Sequence, residues 1–85
     1  MRYEQNIEYR LRRVGPKSFL IRSNEAIELA GIGEDVWKCM ATACSSAEIA
    51  QDLAKIYDAQ PSKIESDVKE FIDVLSRQGA ARAVP

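Results

Sequence analysis

Eighty-five residues, 46% apolar and 29% charged, suffice for one small folded domain whose core is near the lower limit for independent stability. The absence of histidine removes the commonest general base, the usual partner of a catalytic nucleophile and the commonest zinc ligand together. No apolar run approaches the roughly 18 residues of a membrane span. Met1-Arg2-Tyr3-Glu4-Gln5-Asn6 also lacks the apolar stretch of a secretory signal. The expected compartment is therefore the cytoplasm, with no membrane partner.

Net charge is −1, unevenly placed: residues 1–22 carry +4 and the remainder −5. That asymmetry would orient a charged partner, and it equally describes solvent-facing charges on a small sheet and on helices.

Ile7, Tyr9 and Leu11 alternate with Glu8, Arg10 and Arg12, and this period of two predicts a half-buried first strand. Gly15-Pro16 supplies a turn, and Ser18-Phe19-Leu20-Ile21-Arg22 reads as the second strand. After the turn residues Ser23-Asn24 comes a short third strand, Glu25-Ala26-Ile27-Glu28-Leu29, with Ile27 and Leu29 on one face. The three predict a small antiparallel meander.

Gly31-Ile32-Gly33 closes the strand region. Val36, Trp37, Met40 and Cys44 then recur at helical spacing, with Glu34 and Asp35 in the first turn, where the helix dipole favours them. On that helix Cys39 and Cys44 would stand about 140° apart, unable to pair, and they read as two buried reduced thiols. Ser45 and Glu48 have capping-box spacing and open a second helix, with Ile49, Leu53, Ile56 and Tyr57 as its expected buried stripe. Pro61 suits the first position of a third helix, although Ser62 and Glu65 offer a competing capping box. That helix runs to about Gln78, and Gly79 fits the residue just beyond its end. Residues 80–85 leave two outcomes open, a short extra strand or a frayed end.

The expected fold class is α+β, a three-stranded antiparallel sheet followed by three helices. This is the plan of a winged helix-turn-helix with its strands moved to the front. Residues 1–85 read as a single domain, with 1–6 and 80–85 the segments open to fraying.

Three function classes compete. Catalysis fails for want of parts: Ser45, Ser46 and Ser62 sit at helix starts, the acidic pairs lie on exposed faces, and Gly31-Ile32-Gly33 lacks the lysine and spacing of a phosphate loop. No catalytic, cofactor-binding or metal-ligating residue is expected. Nucleic-acid binding would use the third helix, where Lys63, Lys69 and Arg77 face Glu65, Asp67, Glu70 and Asp73, a balance of −1 that suits phosphates poorly. A peptide-binding module fits two features. The third strand ends the meander and leaves an edge able to accept an extended peptide. The third helix carries Ile64, Val68, Phe71 and Leu75 as one stripe, with Ile72 and Val74 on opposite flanks, more apolar surface than one core face needs. Packing of either flank on the tail or the first helix, or a homodimer through this surface, would explain the excess without a peptide.

The order and spacing of Ile27-Glu28-Leu29, Gly33-Glu34-Asp35-Val36-Trp37 and Ala47-Glu48-Ile49-Ala50-Gln51-Asp52-Leu53 resemble the PqqD-like proteins. So do those of Tyr57-Asp58, Pro61, Ile64, Asp67-Val68, Phe71-Ile72, Leu75 and Gly79. These are recognition elements of ribosomally made, post-translationally modified peptide pathways. The resemblance spans about Tyr9 to Ala81 and departs at Leu29-Ala30, Ile32 and Ala80-Ala81.

It implies a non-catalytic binder of a precursor's leader peptide. The leader would dock as an antiparallel strand beside Glu25, Ala26, Ile27, Glu28 and Leu29, and be presented to a modifying enzyme or leader protease. The helix wall would come from Val68, Phe71, Ile72 and Leu75, with Asp67, Lys69 and Val74 as rim contacts. The length suggests a free-standing protein. Members of this size serve pyrroloquinoline quinone pathways, with a radical enzyme, and lasso peptide pathways, with a leader protease and a cyclase. The sequence leaves both open, its departures tilting towards the lasso type. It also leaves open monomer or homodimer. A winged-helix DNA-binding or protein-interaction domain is the alternative.

Overall fold

The first strand is one that the apolar pattern does not announce. In the computed structural model, which describes residues 1–85, Arg2–Gln5 (β1) is the middle strand of an antiparallel sheet. It lies between Cys44–Ser45 (β5) and Ala81–Val84 (β6), so the two chain ends pair with each other instead of fraying. The expected meander forms a second antiparallel sheet from Arg10–Val14 (β2), Lys17–Arg22 (β3) and Glu25–Glu28 (β4), in that order. The helices are Gly33–Cys39 (α1), Ser46–Tyr57 (α2) and Pro61–Arg77 (α3). The fold is α+β as expected, with one more sheet than the sequence suggested.

The meander starts later than its alternation implied, and Ile7 is 84% exposed. Asn6 is the reason. Its side-chain oxygen accepts the Glu8 N–H at 3.0 Å while its carbonyl accepts the Tyr9 N–H, making a local turn that delays the strand to Arg10. Tyr9 and Leu20 are buried, and Leu11 and Ile27, in register with Leu20 on the same face, pack against the core.

α1 stops five residues before Cys44, because residues 44–45 pair with Arg2 and Tyr3 instead. Cys39 and Cys44 therefore do not share a helix. Both are half-buried free thiols, the Cys44 thiol donating to the Cys39 carbonyl at 3.3 Å, and burial pushes the Cys39 thiol's pKa up.

The Ser45–Glu48 capping box is present in both directions, at 3.1 and 2.9 Å. The buried face of α2 is Ile49, Ala50, Leu53 and Ala54, whose small alanines let α3 approach closely. Ile56 (66% exposed) and Tyr57 fall outside it, contrary to expectation; the Tyr57 hydroxyl bonds the Asp35 carboxylate on α1.

α3 begins with Pro61 at its first turn and Gln60 as N-cap, so the Ser62–Glu65 box is not used. It ends in a Schellman motif: Gly79 has φ +83°, its N–H reaches the Ser76 carbonyl, and the Ala80 N–H reaches that of Leu75 at 2.8 Å. This turn aims Ala80 and Ala81 into the core and starts β6.

Candidate functional site

The helix wheel leaves the open flank of α3 undetermined, and packing decides it. Ile64, Val68, Ile72 and Leu75 are the buried residues of α3. Phe71 is half-buried at their margin and Val74 is 40% exposed. The open flank is therefore the Phe71–Val74 side. Val68, Ile72 and Leu75, expected in a binding wall, are sealed in the core and support that wall from beneath. Their contribution is indirect because α2 and the β1–β6 sheet already cover them.

Phe71 and Val74, with Asp67 and Glu70, form one side of a groove whose other side is the Ala30-Gly31-Ile32 segment after β4. Phe71 owes its position to Gly33. A Cβ there would meet the ring, at 2.7 and 2.8 Å from its Cε atoms and closer still to Cζ. Only a glycine at the start of α1 lets the ring lie this low and floor the groove.

β4 is the edge of the meander on the groove side, β2 being the edge on the other. It pairs only with β3, and the Leu29 N–H donates to the Ser18 carbonyl at 2.8 Å. By the alternation of an antiparallel ladder, the N–H and C=O groups of Glu25 and Ile27 also face β3, while those of Ala26 and Glu28 point away from it. These are the groups that an added strand would use. Of the other expected strand residues, Ile27 is half-buried and Leu29 is core.

Two polar nodes hold the walls. The Tyr9 hydroxyl lies 2.8 Å from the Glu25 carboxylate and 2.9 Å from the Gln78 carbonyl, and donates its single proton to one of them. The Arg22 guanidinium stacks 4.6 Å from the centre of the Tyr9 ring and pairs with Glu25 at 3.1 Å. Hydrogen bonds from Tyr9 and Arg22 hold the Glu25 carboxyl below its usual range, and burial raises Tyr9. This node ties the start of β4 to the end of α3, while residues 30–32 lie beside Asp67 and Phe71. β4 and α3 therefore run in opposite directions. At the far end Glu34 on α1 takes Arg13, Ser18 and Lys38, whose hydrogen bonds lower its pKa to about 2 and fasten α1 to β2 and β3.

The opposite flank of α3 bears a second depression, lined by Tyr3, Lys69, Ile72, Asp73 and Ala83 among others, beside the edge strand β6. Lys69, expected at the binding rim, belongs there and pairs with Glu65 at 3.1 Å. Asp73 pairs with Arg77, and Ile72 is only 3% exposed, so this hollow presents little apolar surface from α3. The exposed apolar surface of α3 belongs to the β4 side. Glu70, Ala30, Gly31, Ile32 and Gly33 enter the site unforeseen. For Glu70 a signal was present, since it, like Asp67, has an apolar residue four positions on where Glu65 and Asp73 have a cation; residues 30–33 carry none, their place being set by tertiary packing.

Fold and groove together define a class: a small α+β domain whose open sheet edge stands beside an exposed apolar strip of its last helix. Residues 17–80, about three quarters of the chain, match the family model described as "Coenzyme PQQ synthesis protein D (PqqD)". The chain belongs to that family. It is similar in fold to the solution NMR structure of the PqqD truncation of Methylobacterium extorquens PqqCD, described as a functional and stand-alone RiPP recognition element. The TM-score is 0.82 at 24% identity, over 96% of this chain and 89% of that one. That coverage reaches into the sheet of the chain ends (β1, β5 and β6), most of which lies outside the family match. No curated protein matches the chain significantly.

Proposed function

We propose that this protein is a recognition element that binds the leader segment of a ribosomally made precursor peptide and delivers it to a modifying enzyme or leader protease. The leader adds as a strand, antiparallel to β4, and rests its side chains on Phe71, Val74 and Ile32. The observation that carries the reading is an edge strand, with its outward-pointing Ala26 and Glu28 backbone groups, that leads directly into Ala30-Gly31-Ile32, the segment facing the exposed Phe71–Val74 strip. Family membership and the description of the similar structure support it. The carboxylates with displaced pKa values, Glu25, Glu34 and Glu48, are all held below the usual range, which suits ion pairs and caps more than proton transfer near neutrality. No helix is long and apolar enough to cross a membrane.

Calorimetric titration with the leader of the precursor encoded beside this gene tests the reading. Val74→Asp should weaken binding about tenfold or more, because an apolar contact worth about 1.5 kcal/mol is replaced by a charge. Arg10→Ala, on the outer face of the meander, should leave it within about twofold. A larger loss from Arg10→Ala, with a steep dependence on salt, would contradict the proposal and favour a polyanionic partner.

A further inference from the structure

α3 carries four carboxylates, and the structure treats them in two ways. Glu65 and Asp73, away from the groove, each pair with the cation four residues on. Asp67 and Glu70, which line the groove, are exposed and have no basic side chain within 4.0 Å. Their i+4 neighbours are Phe71 and Val74, so the helix offers two unneutralised carboxylates directly beside its exposed apolar strip. No basic residue lines the groove between residues 30–32 and α3. A peptide seated there with an acidic side chain at this end would meet like charge in a partly desolvated setting, whereas a basic one would find two partners.

The direction of the peptide fixes which of its residues meets them. The Tyr9 node places Glu25 beside Gln78, and Ala30–Ile32 lie beside Asp67 and Phe71, so β4 runs opposite to α3. A strand antiparallel to β4 therefore runs with α3, its N-terminal end at Asp67. Along the helix axis Glu70 lies about 4.5 Å beyond Asp67, Phe71 about 6 Å and Val74 about 10.5 Å. Groove-facing side chains of an added strand recur every 6.8 Å or so. One that meets Asp67 and Glu70 is thus followed, two residues later, by one that meets Phe71 and Val74.

We infer that the groove selects leader segments of the pattern basic–any–apolar, read from N- to C-terminus, with Asp67 and Glu70 as the residues that choose the basic position. This rests on the leader-binding reading above and names the chemistry of the ligand. The probe is a displayed library of random 12-residue peptides, selected on the wild-type chain and on Val74→Asp in parallel. Peptides that need Val74 should be enriched about fivefold or more in Lys or Arg two positions before an apolar residue. A winning peptide should bind Asp67→Lys/Glu70→Lys about tenfold more weakly, and Asp67→Asn/Glu70→Gln to an intermediate degree. Neither carboxylate has an intramolecular ion pair to lose, so the fold should survive both changes. Val74-dependent peptides with no basic preference, or binding indifferent to charge reversal, would overturn the selectivity while leaving leader binding in place. Peptides that bind Val74→Asp as well as the wild type would overturn the leader-binding reading itself.

Discussion

Gly33→Ala tests whether the floor of the groove is set by one contact. The added Cβ would lie 2.7–2.8 Å from the Phe71 Cε atoms and nearer to Cζ, against an optimum of about 3.5–4.0 Å for carbon pairs. The ring must recede by about 1 Å or more, and its free direction is outward, into the groove. Overpacking of this kind costs about 1–3 kcal/mol, and the stiffer unfolded chain returns about 0.4–1 kcal/mol. A net loss of about 1–2 kcal/mol should lower the melting temperature of a chain this size by about 5–15 °C. Trp37, the single tryptophan, is buried on α1 four residues from the substitution and reports unfolding in urea. Because the displaced ring would occupy the seat proposed for the peptide, leader affinity should fall about tenfold as well. Phe71→Leu in the same chain shortens the obstructing side chain and should recover most of the stability, a coupling of about 1 kcal/mol between the two sites. A Gly33→Ala protein as stable as the wild type, with undiminished binding and no coupling to residue 71, would refute the reasoning.

Two further outcomes follow from the edge strand and the polar nodes. Ala26→Pro removes an N–H that points away from β3, so stability should change by no more than about 1 kcal/mol while leader binding falls about fivefold to tenfold; unchanged binding would rule out strand addition at this edge. Glu34 has a pKa of about 2 in the fold against 4.5 unperturbed, so its stabilising contribution is complete above about pH 4.5 and is lost as pH falls towards about 2. Glu34→Gln should therefore flatten the loss of stability measured by denaturation across that window, and an unchanged slope would assign the acid sensitivity elsewhere.

Local signals in the sequence proved dependable where a few adjacent residues settle the outcome. The Ser45–Glu48 box, Pro61 at the start of α3 and Gly79 just past its end are each determined within four residues, and each is present. The sheet of the chain ends was not legible, because Arg2–Gln5 has no apolar alternation and its partner β6 is supplied from the opposite end of the chain. The same pairing explains Cys44: its spacing from Val36 and Met40 matched a helix, yet β1 drew it into a strand. Ile56 and Tyr57 matched the apolar period of α2, but the buried face turned towards Ala50 and Ala54, where α3 packs. At the site, the wheel showed that α3 has excess apolar surface. Which flank stays open depends on tertiary neighbours, with Gly33 receiving Phe71 on one side and the sheet of the chain ends closing over Ile72 on the other.

The central claim, that a leader joins β4 as a strand, is tested most directly by residue-resolved amide hydrogen exchange with and without the leader. In the free protein the Ala26 and Glu28 amides, pointing away from β3, should exchange fast, while Ile27 and Leu29, already bonded to β3, should be protected. Saturating leader should slow Ala26 and Glu28 about tenfold or more and leave that alternation otherwise intact. Binding that protects other surfaces and leaves Ala26 and Glu28 exchanging as fast as before would contradict it.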